Sequence, residues 1–79
     1  MSFKYKVCQM QFGRITFVNG TWNGKIDYQS DDTEAAINSC PNDYEFLEEQ
    51  GSDGWELVSV VSLTDIEKLY LKKKNSKPF

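Results

Sequence analysis

The stretch Gly51-Ser52-Asp53-Gly54-Trp55-Glu56-Leu57-Val58-Ser59-Val60 constrains the fold more than any other part of the chain. It reads as a helix stop, a tight loop and the entry to a buried strand. Gly51 follows the acidic run Asp43 to Gln50, where a left-handed residue just past a helix belongs. Trp55 then opens a run dense in β-branched residues, which favour a pleated, packed surface. Both glycines and Trp55 therefore read as structural, with Trp55 as a core anchor.

The segments around this connection predict strands. Phe3 to Phe12 alternates apolar and polar residues, first with Phe3, Tyr5 and Val7 apolar, then with Cys8, Met10 and Phe12 apolar. Either a bulge shifts the register or the far end buries its other face. Arg14 to Tyr28 predicts a hairpin. A turn at Asn19-Gly20 sets Phe17 opposite Trp22, with Ile15 on the same face, and is preferred to a turn at Asn23-Gly24. Asp31 or Asp32 caps a short helix through Thr33 to Ile37, Pro41 stops it, and Asn42 or Asp43 caps the main helix, about 43 to 50. Trp55 to Leu63 reads as the central strand and Ile66 to Lys74 as the last. The expected fold is α+β: a small antiparallel sheet of four to five strands with one main helix on one face. Residues 1–74 form one domain and 75–79 a flexible basic tail.

With 79 residues the core is small, and such domains lean on disulfides, metals or oligomerisation. Two cysteines make no disulfide framework, and Cys8 and Cys40 read as reduced, partly buried thiols. No apolar run approaches the roughly 18 residues of a membrane span, and no signal peptide is visible, so a cytoplasmic protein is expected. There is no histidine, which removes the commonest general base and metal ligand. No catalytic residue, metal or cofactor is expected.

All twelve acids fall between Asp27 and Glu67, and all nine bases lie outside that window. So complete a segregation predicts an acidic side and a basic side. The acids Glu45, Glu48, Glu49 and Asp53 read as a solvated helix face rather than a paired-carboxylate site.

The run Gly51-x-x-Gly54-Trp55-Glu56-Leu57-Val58 resembles the hallmark of a small bacterial and phage family, domain of unknown function 4177. Tyr5-Lys6-Val7 is similar to that family's opening strand, and Leu69-Tyr70-Leu71-Lys72-Lys73 to its basic ending. The resemblance covers about half of the chain and carries no activity with it. The glycines follow a helix and precede a strand, the wrong polarity for a phosphate loop.

The run from Leu57 to Leu63 is apolar on both faces, and one short helix covers only one. The chain is therefore expected to be a non-enzymatic binding or protein-interaction module that self-associates, most simply as a dimer. The alternative is capture of a small anionic ligand, such as a nucleotide, at an intersubunit pocket. Its candidate residues are Arg14, Trp22 and Lys25, with Arg14 and Lys25 opposed across the hairpin, or Lys4, Lys6, Lys68 and Tyr70 on the sheet. A third reading is single-stranded nucleic-acid binding, in which Lys4, Lys6, Lys68 and Lys72 share one sheet face with Tyr70. The net charge of −3 and the single clear aromatic in that stripe count against it.

Overall fold

The computed structural model describes residues 2–29 and 31–75. Residues 76–79 of the expected tail lie outside the described residues. Seven elements follow one another: β1 (Phe3–Gln11), β2 (Arg14–Val18), β3 (Thr21–Trp22), α1 (Thr33–Asn38), α2 (Asp43–Ser52), β4 (Glu56–Ser62) and β5 (Glu67–Lys74). The strands form one antiparallel sheet in the order β3-β2-β1-β5-β4, a small α+β fold.

Local chemistry sets the element ends. Asp32 caps α1, accepting the Ala35 N–H at 3.0 Å. Asn42 caps α2 and accepts the Glu45 N–H at 3.3 Å. Each side chain satisfies an amide that has no partner within its helix. At its far end α2 runs through Gly51, which corrects the expected stop there. Gly54, at φ +92°, is the left-handed residue instead. Its N–H bonds Gly51 O at 3.0 Å and the Trp55 N–H bonds Gln50 O at 2.9 Å. These two bonds close a Schellman motif and turn the chain into β4.

Two tight hairpins start the sheet. Asn19 and Gly20 have φ of 50° and 82°, the signature of a type I′ turn, and Phe17 pairs with Trp22 as expected. Phe12 and Gly13, at 53° and 73°, make a second such turn between β1 and β2. Ile15, however, does not share a face with Phe17. Phe17 pairs with Gln9 and Ile15 with Met10, so Thr16 is an extra residue that shifts the register.

The core is small and lies between the sheet and α2. Cys8, Ile15, Phe46, Leu69 and Leu71 are buried, with Met10, Val18, Leu47 and Trp55 packed against them. β1 is in unbroken register with β5 from Phe3↔Lys74 to Met10↔Glu67. No bulge therefore explains the flip in its pattern: Cys8 and Met10 face the helix, and Phe3, Tyr5 and Val7 face the other way.

β4 is the largest departure from expectation. It is an edge strand rather than the central one, and all of its residues are exposed. The opposite edge is short and covered. β3 has two residues, and the linker between the helices runs beside the rest of β2, with Ile15 N–H to Pro41 O at 2.9 Å and an isolated bridge from Arg14 to Asn42.

Candidate functional site

The cations singled out in the sequence fall into three separate places. Arg14 begins β2 and is partly buried. Its Nη1 donates to Cys40 O at 3.0 Å, so the guanidinium holds the linker between the helices. The chain leaves the sheet after Trp22, so Arg14 and Lys25 do not oppose each other across a hairpin. The expected cation pair is not formed, because a two-residue β3 is too short to carry Lys25 beside β2.

Lys6 and Lys25 instead line one open hollow of about 480 Å³ beside α2. Its walls include Asn23, Ser39, Cys40, Glu45, Glu49 and Gln50. Lys6 is already engaged there. Its ammonium donates to Gln50 Oε1 and lies 4.3 Å from the centre of the Trp55 ring. Lys73 covers the same ring at 5.8 Å and pairs with Asp53 at 3.4 Å. Trp55 is thus a partly buried ring at the rim of the core, clamped by two ammonium groups, rather than a fully enclosed anchor.

Trp22 packs edge-on against Phe17 at 5.3 Å and at a tilt against Tyr28 at 5.3 Å, and its Nε1 donates to Ile26 O at 2.8 Å. Its ring and its one polar atom are both used in ordering the 22–28 segment. Gly24 fits only because it has no side chain: a Cβ there would stand 2.8 Å from the Trp22 ring and 2.7 Å from Ser39 Oγ.

The lysine stripe divides between the two sheet faces. Tyr5 pairs with Lys72 and Val7 with Tyr70, so Tyr70, Lys68 and Lys72 share a face with Phe3 and Tyr5. Lys4 and Lys6 alternate to the helix side. The sequence pattern had placed all four lysines beside Tyr70. Strand alternation tells which residues go together, not which set faces inward. The open face instead carries two aromatics from β1: Phe3 is 41% exposed and Tyr5 66%. The flip at Val7-Cys8 was the signal that could have shown this.

Neither thiol is set up for chemistry. Burial pushes the Cys8 thiol up to about 11, against a smaller opposing pull from Lys6. Burial also raises Cys40, with Arg14 opposing. Both are free and buried, so both stay protonated and shielded near neutral pH. Among the described residues no three His, Cys, Asp or Glu side chains gather to hold a metal, and no helix is long and apolar enough to cross a membrane. No protein-family model matches the chain, and neither a curated protein nor a solved structure matches it.

Proposed function

We propose that the chain is a non-enzymatic interaction module that works as a homo-oligomer, with β4 as the contact strand. The observation that carries this reading is the exposure of Leu57, Val58, Val60 and Val61, each at least 41% open to solvent in one edge strand, with Leu63 just past its end at 50%. An unpaired apolar edge is a template for another strand, and proteins blunt such edges with lysine, proline or shortness. β3 shows that treatment and β4 does not: it is seven residues long and holds neither Lys nor Pro. Its one irregularity is the extra residue Val58, which leaves Ser59 to Ser62 in regular register.

A second copy of β4 is the occupant that fits best. Glu56 is the only charged side chain of the strand and stands at its start. Antiparallel pairing of two copies puts these carboxylates at opposite ends, whereas parallel pairing would set them side by side. The free thiols support a reducing, cytoplasmic setting. The resemblance to domain of unknown function 4177 adds no activity to this reading. Sedimentation equilibrium at micromolar concentration tests it. A dimer or larger species is expected, and a monomer at every concentration would refute the proposal.

Capture of a small anionic ligand, such as a nucleotide, has one supporting observation, that Lys6 and Lys25 line the same hollow. Glu45 and Glu49 line it too, and Lys6 is held by Gln50 and Trp55, so the hollow offers an anion little uncompensated charge.

A further inference from the structure

Over β1 and β5 the side of the sheet turned away from α2 has a chemistry that differs from that of the β4 edge, whereas over β2 the same side is taken up by Phe17 packed with Trp22 and Tyr28. On β1 it carries Phe3 and Tyr5, and on β5 it carries Lys68, Tyr70, Lys72 and Lys74. The pairing interleaves them: Phe3 lies opposite Lys74, Tyr5 opposite Lys72, and Tyr70 one step along from Tyr5 on the diagonal. Diagonal neighbours of this kind stand about 7–8 Å apart, within reach of one another's rings. Lys72 Nζ hangs over the Phe3 ring at 4.8 Å, so these two side chains lie on the same side of the sheet, as the strand pairing requires.

The charge of this face is opposite to that of the whole molecule. By the strand pairing, the acid on it is Glu56, beside Lys72. The carboxylates of α2 lie across the sheet, on the side where Cys8, Leu69 and Leu71 are buried against Phe46. The net charge of −3 is thus no guide to what approaches from the open side.

We propose that this open face binds single-stranded nucleic acid, with Tyr5, Tyr70 and Phe3 stacking on bases and Lys68, Lys72 and Lys74 meeting phosphates. A single strand offers what this surface needs: an unpaired π-face for each ring and a charge at each step along the lysine row. An acidic protein partner would satisfy the lysines but would leave Tyr5 without a purpose at 66% exposure. A duplex keeps its bases stacked inside and satisfies only the lysines. Nothing on the face is arranged to read base edges, so recognition is tolerant of sequence. Antiparallel pairing through β4 leaves the face open, so this proposal stands or falls separately from self-association.

Fluorescence anisotropy with labelled oligo-dT and oligo-rU, each about 12 nucleotides long, tests the proposal against a duplex of the same length. With three phosphate contacts the affinity should fall about 20-fold between about 50 and about 200 mM salt, a log–log slope of about −2. Tyr5→Ala should weaken binding about 5- to 150-fold, the span for loss of one stacked base, while Tyr5→Phe should keep it. Tyr5 is exposed, so neither variant threatens the fold, and sedimentation of each reports the subunit count. Single-strand preference, loss with Tyr5→Ala and retention with Tyr5→Phe, at constant subunit count, support the proposal. Absence of binding, or binding indifferent to Tyr5→Ala, overturns it. A change in subunit count with Tyr5→Ala also overturns it, because the face would then be a contact between copies.

Discussion

Val60 and Leu69 are direct partners across the β4–β5 ladder, yet Leu69 is 2% exposed and Val60 48%. The core therefore ends between two adjacent strands. Phe46 of α2 shares the core with Leu69 and Leu71 of β5, whereas every residue of β4 stays exposed, so among the described residues the apolar side chains of the edge strand are left largely uncovered.

Val60→Lys should convert this edge into one that repels other strands. Because Val60 is exposed, the change in monomer stability should stay within about 0.5 kcal/mol. The subunit count by sedimentation equilibrium should fall. An unchanged count with an unchanged melting temperature would place the contact elsewhere.

Phe12→Asn should stabilise the protein by about 0.5–1 kcal/mol. Phe12 sits at φ +53° in a type I′ turn and is 83% exposed, so it bears backbone strain with little burial in return. Asn tolerates that conformation. Chemical denaturation measures the gain, and a loss would show that the ring is packed in the assembled protein.

Arg14→Ala should cost about 1–2 kcal/mol by freeing Cys40 O and loosening the linker between the helices. The subunit count should not change. Dissociation without a loss of monomer stability would restore Arg14 to an assembly role.

Trp55→Ala should cost about 2 kcal/mol, less than for a fully enclosed Trp, because the ring is only partly buried. Trp55→Phe should recover the packing but weaken the stack with Lys6 and Lys73. Thermal melts of the two variants at low and high salt separate the two contributions.

Alkaline pH should weaken the fold through Cys8. Its thiol ionises near 9.0 when free but only near about 11 in the folded chain. The native state thus holds the proton more tightly. The stability this gives is complete below pH 9.0 and is lost as the pH rises to about 11. The loss is about 2–3 kcal/mol. Melting temperatures across this window should fall more steeply for the natural protein than for Cys8→Ala.

Much of the local structure was legible in the sequence because it depends on neighbours in the chain. Asp32, Pro41 and Asn42 announce two helices, and Asn19-Gly20 announces the turn that joins Phe17 to Trp22. Long-range order was not legible in the same way. The run Leu57 to Leu63 has the composition of a central strand, but composition reports how apolar a strand's surroundings must be, not which strands supply them. The extra residues Thr16 and Val58 shift register with no glycine to mark them. Arg14 and Lys25 were paired by extending a hairpin that ends after two residues.

The strand order has a consequence for how the molecule is made. Of the five strands β1 is synthesised first and lies in the middle of the sheet, but one of its two neighbours, β5, is the last of the five to be made. Until β5 emerges, the whole side of β1 from Phe3 to Met10 lacks its hydrogen-bonding partner. Leu69 and Leu71, which complete the floor beneath α2, arrive with that same strand. Closing so long a loop precedes any gain from the contacts it brings. A nascent chain can form its hairpins and begin its helices, but it completes its sheet only once β5 has left the ribosome.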